Sequence, residues 1–417
     1  MLNAEHCCKL RSFPPTIKLP SLEELILFGC SSLEYFPEIP EEMENLQVLN
    51  LYDTGIKDLP CSFCNLSRLR HLNIVGDAMC KIPIVIGMMP KLMFCDIKGG
   101  GNKGRVSREQ MEGLQGILTT HSHSLYSSNM IRLCLRNSNL SDEFFPLAVT
   151  WFPNVLLLDL SGNNFRILPE CVQEFRCLLT LNVDHCKHLQ EIRGIPPRLT
   201  SFSAVNCKSL SPRGTSVLLN QKVLEGRSAE FVMPGRRIPR WFEKRRSGAS
   251  ISFWFRGTIF PLNALCVAIL LKDDIPSPMQ VTPIATINGY QVSSGKEIRV
   301  DQFLILNLKG KYYDKSLPFN KIGWNHVEVS YKACRGPNFY YKVIPIESIA
   351  KEIGMHVVKQ KSSSVIQDIR FTDPYRMTQL IIMMMMVSIV FPNHKKQPLL
   401  LETRIGLWTL LFFTNTL

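Results

Sequence analysis

The sequence predicts an α/β solenoid of leucine-rich repeats followed by an all-β domain of sandwich or jelly-roll type. Three observations carry this prediction. An L-x-x-L-x-L pattern recurs through the first half, it disappears after Leu210, and from there short strand-like segments alternate with Gly, Pro, Asn and Asp clusters. A chain of 417 residues with 45% hydrophobic and 20% charged residues has room for two or three packed domains and is not compositionally disordered.

The repeats come in order. "LEELILFGCSSLEYFP" (Leu22, Leu25, Leu27) precedes "LQVLNLYDTGIKDLP" (Leu46, Leu49, Leu51), "LRHLNI" (Leu69, Leu72, Ile74) and a degraded copy, "LMFCDI" (Leu92, Cys95, Ile97). After an interruption come "MIRLCLRNSNL" (Met130, Leu133, Leu135), "VLLLDLSGNNFRILP" (Val155, Leu158, Leu160), "LLTLNVDHCKHLQEI" (Leu178, Leu181, Val183) and "LTSFSAVNCKSL" (Leu199, Phe202, Ala204). Central apolar positions are spaced 24, 23, 23, 25, 23 and 21 residues apart, omitting the jump over the interruption. Each L-x-L predicts a short strand with its leucines turned inward, and stacked copies bury an apolar ladder that one repeat cannot bury alone. Cys30, Asn163, Cys186 and Cys207 stand where each repeat turns inward and can bond loop backbone. That role accounts for Cys186 and Cys207 without a metal, although His185, Cys186 and His188 are adjacent. Cys61-x-x-Cys64 lacks a second pair at zinc-site spacing. No metal, cofactor or catalytic residue is therefore expected.

Residues alternating with the leucines face outward and form the parallel sheet that solenoids use for binding. The candidates for protein binding there are Phe28, Tyr52, His71, Asn73, Phe94, Lys98, Arg132, Arg136, Asp159, Asn182 and Asp184. Between repeats, at about 99–128, lies an expected insertion loop. Its Gly99-to-Gly104 spacing resembles the start of a phosphate-binding loop, but Arg105-Val106 stands where Lys-Ser/Thr is required.

The second half predicts strands at Ala229 to Met233, Ser250 to Phe255, Ala264 to Leu271, Pro283 to Tyr290, Gln302 to Leu308, His326 to Tyr331 and Gly354 to Val358. The net charge of +13 lies wholly there: Met1 to Leu210 holds 20 Lys+Arg against 21 Asp+Glu, and the remainder 28 against 14. Arg236, Arg237, Arg240, Lys244, Arg245 and Arg246 concentrate that charge and are expected in turns and a connecting loop, as a basic rim for an acidic protein surface. Trp241 and Trp254 stand in apolar company and are expected in the core, which argues against base stacking and against a nucleic-acid partner.

"PGRRIPRWFEKRRSGASISFWF", "GWNHVEVSY" and "IGMHVV" together resemble the domain that follows the repeats in plant TIR-type nucleotide-binding leucine-rich-repeat immune receptors, the C-terminal jelly-roll/Ig-like domain. "GIKDLP", "LDLSGNNFRILPE" and "GIPPRL" are similar to the repeats of the same receptors, so the resemblance covers Met1 to about Gln360. It implies a solenoid over 1–212 and a jelly-roll/Ig-like domain over 213–360. It further implies that the two recognise a pathogen effector protein and restrain an upstream nucleotide-binding domain, whose release assembles TIR domains into an NAD-cleaving oligomer. This chain shows neither a Walker lysine loop nor a TIR segment, so NAD cleavage is not expected of it, and a fragment or truncated product is implied. The competing functions are an enzyme built on the β domain, a hydrolase or carbohydrate-active protein, and direct nucleic-acid binding through the basic half.

Met1 to Leu10 contains Glu5, His6 and Lys9 and no apolar run, so a secretory leader is not expected. The reducing cytoplasm is the expected location, with the nucleus as an alternative. In the tail at 361–417, "LIIMMMMVSIVF" is a run of twelve residues, eleven of them apolar, where a spanning helix takes about 20, and no membrane partner is expected.

Overall fold

The computed structural model describes residues 1–56, 59–76, 86, 89–99, 129–211, 213–220, 230–248, 250–256, 265–272, 279–294, 298–300, 303–307, 320, 323–335, 342–344, 349–357 and 369–374. The expected insertion loop beyond Gly99 and nearly all of the expected tail lie outside them.

The repeat strands are β1 (Leu2–Asn3), β2 (Glu24–Ile26), β3 (Val48–Leu51), β4 (His71–Gly76), β5 (Phe94–Gly99), β6 (Arg132–Arg136) and β7 (Leu157–Asp159). They continue through β9 (Thr180–Asn182) and β11 (Ser201–Ser203), with β8 (Ile167–Leu168) and β10 (Glu191–Ile192) forming a separate parallel pair. The register is the one the spacing predicts: Leu25, Leu49, Leu72, Cys95, Leu133, Leu158, Leu181 and Phe202 stand side by side in parallel strands. All eight are buried, and the ladder starts one rung earlier than the leucine pattern shows, at Leu2.

Seven of the rungs end in the same way. His6, Gly29, Asp53, Asn137, Gly162, His185 and Asn206 all have φ between 51° and 74°, each two residues past the last inward residue of its rung. A chain that must leave the strand and turn under the next repeat needs the left-handed region at that point, which Gly, Asn and Asp enter at the lowest cost. The inward polar ladder then ties repeat to repeat. Cys30 Sγ donates to the Ala4 carbonyl at 3.0 Å, Cys186 Sγ to Leu160 at 3.3 Å and Cys207 Sγ to Val183 at 3.1 Å. Asn163 Nδ2 donates to Leu135 and Leu160 carbonyls at 2.7 and 2.8 Å while its Oδ1 accepts Leu140 N–H at 3.0 Å. Burial pushes the Cys186 thiol up to about 12, so it serves as a neutral donor and not as a nucleophile or metal ligand.

The α component is smaller than the α/β expectation. The described residues contain α1 (Phe144–Trp151), while short 3-10 turns at Cys61–Asn65 and Glu170–Glu174 close other repeats. Both turns follow an extended proline, Pro60 or Pro169, supplied by the Leu-Pro of the repeat. Repeats of this length leave little chain on the return side, and five residues close it as a 3-10 turn.

The second half comprises β12 (Glu230–Met233), β13 (Lys244–Arg246), β14 (Ser250–Arg256), β15 (Leu265–Leu271), β16 (Met279–Ile287), β17 (Tyr290–Ser294), β18 (Ile298–Val300) and β19 (Phe303–Asn307). It closes with β20 (Trp324–Arg335), β21 (Lys342–Ile344), β22 (Ala350–Val357) and β23 (Ile369–Arg370). The strand read from sequence as the first of the β domain is also the last rung of the solenoid. Phe231 of β12 aligns with Phe202 in parallel, and β12 then pairs antiparallel with β19. One sheet of fourteen strands therefore runs from β1 through β12 to β19, β15, β22 and β13.

A second sheet, ordered β17-β16-β20-β14-β23, stacks on it. Val267, Ile269, Leu304, Ile353 and Met355 of the large sheet share a core with Ile251, Phe253, Phe255, Val281, Val327 and Val329 of the second. Their neighbours Ala268, Leu270, Phe303 and Ile305 point the other way and join the solenoid core. Sheet strands buried on both faces read as unbroken apolar runs, which is why β15 is "LCVAILL". Val205 and Val232 belong to the sandwich core, so the second sheet sits over the open face of the large sheet at its C-terminal end.

Three further expectations are corrected. Pro283 to Tyr290 is two strands: Asn288 and Gly289, with φ 51° and 83°, form the turn between β16 and β17. Lys244, Arg245 and Arg246 form a strand, β13, and not a loop. Trp254 is outside the core, because period-two alternation in β14 turns Ile251, Phe253 and Phe255 inward and leaves Trp254 against His326 on the outer face, ring centroids 4.6 Å apart.

Candidate functional site: the open face of the repeat sheet

Every strand of the ladder presents the residues that alternate with its inward ones to the open face, and parallel pairing aligns them into rows. The first row reads Glu24, Val48, His71, Phe94, Arg132, Leu157, Thr180, Ser201. A second row reads Ile26, Asn50, Asn73, Asp96, Cys134, Asp159, Asn182, Ser203. Val75, Lys98 and Arg136 belong to a third, in which Phe28, Tyr52 and Asp184 occupy the corresponding positions of their own repeats. All eleven candidate residues fall on this one face, a consequence of alternation and register alone.

The face is graded along the solenoid. Its N-terminal end is aromatic: His6 meets Phe28 edge-on at 4.8 Å, Phe28 lies 5.6 Å from Tyr52, and His71 stacks on Phe94 at 4.7 Å with the rings 10° from parallel. Tyr52 is exposed beside Phe28. Lys98, Arg132 and Arg136 follow, then Asp159 and Asp184. Arg136 Nη2 donates to both oxygens of Asp96 at 2.5 and 2.7 Å, with side chains 32% and 27% exposed, so this pair is half-shielded and fixed. Arg132, reaching across from its own row, donates Nε–H to Cys134 Sγ at 3.4 Å. Cys134 occupies an outward position yet is buried, and that burial pushes its thiol up.

Two of the expected binding residues have a second job. Asp159 Oδ1 accepts the Ser161 N–H at 3.0 Å, and Asn182 Oδ1 accepts the Asp184 N–H at 2.8 Å. Asn3 and Asn50 do the same for Glu5 and Tyr52, at 2.9 and 3.0 Å. These side chains cap the strand end before the left-handed residue, so one oxygen of each is committed to the fold. Asp184 Oδ1 accepts from Ser203 Oγ at 2.6 Å and Val205 N–H at 2.7 Å, tying the face to the rung where the second sheet begins. Burial raises its carboxyl above the usual range, and those two hydrogen bonds oppose the rise. Sequence reasoning passed over Asp96 and Cys134, although both occupy x positions of quoted repeats.

The basic rim lies elsewhere, at the far edge of the large sheet. Arg236, Arg237, Arg240, Arg245 and Arg246 are exposed and Lys244 is half-buried. Between them Ile238 and Phe242 are buried, and Trp241 is half-buried with Nε1 donating to the Leu219 carbonyl at 2.9 Å.

Residues 18–212 match the family model described as disease resistance protein RPS4B-like, leucine-rich repeats. The first half is thus similar to the leucine-rich repeats of plant disease resistance proteins. Over 211 residues the chain is 28% identical to disease resistance-like protein DSC1 of Arabidopsis thaliana, half of this chain against 14% of that one. It is 30% identical over 210 residues to disease resistance protein RPS4B of the same plant, covering 50% and 16%. Disease resistance protein RML1B, also from Arabidopsis thaliana, is 24% identical over 333 residues, covering 68% of this chain and 32% of its own. That last match covers more of the chain than residues 1–212 hold, so it runs on past the repeats. The chain spans at most about a third of the length of these relatives.

Proposed function

We propose that this chain is the protein-recognition portion of a plant immune receptor, and that the open face of the repeats, its concave side, meets a pathogen effector protein. What supports this most is the graded face: an aromatic cluster followed by charged side chains, held on a ladder of paired parallel strands. Aromatic and Arg side chains on a rigid frame are the residue types that anchor protein interfaces. The likeness of the repeats to those of plant disease resistance proteins supports a role in defence. In this reading the sandwich is the receptors' jelly-roll/Ig-like domain, the chain works in the cytoplasm, and in an intact receptor it also restrains the nucleotide-binding domain. Recognition needs no catalytic step and none is assigned.

The experiment is a co-expression screen in plant tissue of the full chain with a panel of secreted pathogen proteins, scored by association. Tyr52→Ala and Arg132→Glu are expected to abolish association with whichever effector binds. An effector bound equally well by wild type and both variants would remove the open face from the account.

A further inference from the structure

Strand β13 ends the large sheet. It pairs with β22 through Lys244 with Met355, Arg245 with Gly354 and Arg246 with Ile353, and no strand of the described residues pairs with its other side. A terminal strand turns alternate N–H and C=O groups outward. Edges of this kind are commonly blunted by a charge or a proline, but this one carries three consecutive cations with Arg236, Arg237 and Arg240 just before them. Ion pairs among the described residues join Lys18 to Glu41, Arg136 to Asp96, Arg166 to Asp142 and Arg193 to Glu191, all in the solenoid, and none involves these six cations.

The cations are held in place from behind. A Cβ on Gly354 would lie 2.8 Å from Ile238 Cγ2 and 3.1 Å from Phe242 Cδ1, so this glycine lets the basic loop seat itself directly on β22. Trp241 is committed by its bond to Leu219, by Phe242 at 4.3 Å and by an edge-on contact with His356 at 5.0 Å. Like charges gathered on a rigid loop repel one another, and an anionic partner relieves that repulsion.

We propose that this edge takes an extended acidic segment of another protein, which adds a strand to β13 through main-chain hydrogen bonds while its carboxylates meet the surrounding Arg and Lys side chains. Strand addition uses main-chain bonds for affinity and alternate side chains for specificity. A phosphodiester backbone offers acceptors only and would leave the carbonyls of the edge unmet, whereas a peptide strand supplies both donors and acceptors. Trp241, already committed on several sides, offers no platform for base stacking. With so short an edge the main-chain bonds alone are weak, so binding is steeply salt-dependent. This surface is separate from the open face.

The test uses the full chain and fluorescence anisotropy with a labelled peptide of about ten alternating Glu and Val residues. Two further peptides carry backbone N-methyl groups on the even or on the odd positions, and a single-stranded oligothymidylate of equal charge is the polyanion control. The plain peptide is expected to bind at low salt and to release at high salt. N-methylation of one parity is expected to weaken it by about tenfold or more while the other parity has little effect, since alternate N–H groups of an added strand point toward and away from the edge. Arg245→Glu with Arg246→Glu, and separately Arg236→Glu with Arg237→Glu outside the strand, are expected to lose the peptide; Arg132→Glu on the open face is expected to keep it. Equal binding of both methylated peptides, or of the oligothymidylate, would reduce the edge to a polyanion patch, and no binding of the plain peptide would remove the site altogether. Because Arg132→Glu reports on the open face, a failure there is distinguishable from a failure here.

Discussion

Strands β7 and β15 belong to one hydrogen-bonded sheet, yet they live in opposite environments. In β7 only Leu158 is buried, flanked by the half-buried Leu157 and Asp159, and the open face above it is available to a partner. In β15 successive residues from Cys266 to Leu271 are all buried, alternately against the solenoid core and the sandwich core. The environment of a strand in this sheet is thus set by coverage. The same sheet leaves one face bare along the repeats and joins the two halves where the second sheet covers it.

That comparison can be broken most forcefully by placing a carboxylate on each parity of each strand. Leu158→Asp is expected to cost several kcal/mol, because an unpaired buried charge has nothing to offset its desolvation. Its neighbour Leu157→Asp faces outward and is expected to stay within about 0.5 kcal/mol of wild type. In β15 both Val267→Asp and Ala268→Asp are expected to be as damaging as Leu158→Asp. Equilibrium denaturation of the four variants checks this. A tolerated Ala268→Asp would show that the large sheet is not buried on its solenoid side beyond β12.

The next effect concerns the two tryptophans that the sequence treats alike, Trp241 and Trp254. Trp241→Ala removes a ring packed on Phe242 and His356 and a hydrogen bond to Leu219, and is expected to cost about 3 kcal/mol. Trp254→Ala removes a ring from the outer face of β14 and is expected to cost about 1 kcal/mol or less. Thermal unfolding of the two variants separates them, and equal losses would put Trp254 back in a core.

Both tryptophans were expected in the core, and both are half-buried, Trp241 packed against it and Trp254 on the outer face of β14. The ladder could be read because a repeat states its register many times over, and a single spacing error would misplace one rung among many. Trp254 could have been placed by the same period-two rule, since Ile251, Phe253 and Phe255 already claim the inner face of β14. Lys244 to Arg246 could not, because three cations carry no strand propensity and become a strand only through pairing with β22. The dual identity of β12 was equally invisible: "EFVM" is apolar on both parities, and nothing local says that one side continues a solenoid. On the open face, alternation placed the candidates, but their hydrogen bonds depend on the next rung. Asp159 and Asn182 as strand caps, and Arg136 on Asp96, emerge only from three-dimensional neighbours.

A smaller perturbation tests the left-handed turn that ends seven of the rungs. Gly162 has φ 72°, and Asn137 of the preceding rung lies against it. Gly162→Ala is expected to cost about 1–2 kcal/mol from the left-handed backbone alone, and more if Asn137 is displaced. Gly248, with φ 125° and open space where a Cβ would sit, provides the contrasting site, sensitive to backbone but not to crowding. A drop in melting temperature with intact secondary structure is the expected reading for Gly162→Ala.

The smallest expected effect is electrostatic and sits where the bare face meets the covered one. Burial raises the Asp184 carboxyl above the usual carboxylate range, so the folded protein holds that proton more tightly than the unfolded chain does. The stability this contributes is fully present below the unfolded value, about pH 3.9, and is lost as pH rises through the folded value. Asp184→Asn keeps an amide oxygen to accept from Ser203 and Val205 but cannot ionise. At acid pH the variant is expected to match wild type, whose carboxyl is then also neutral, and at neutral pH to be slightly the more stable. Denaturation midpoints collected across the acid range measure the difference. If Asp184→Asn is instead the weaker protein at neutral pH, the carboxylate charge is being held favourably by the Ser203 hydroxyl and the Val205 N–H, and the junction draws strength from an ion where the burial argument predicts a cost.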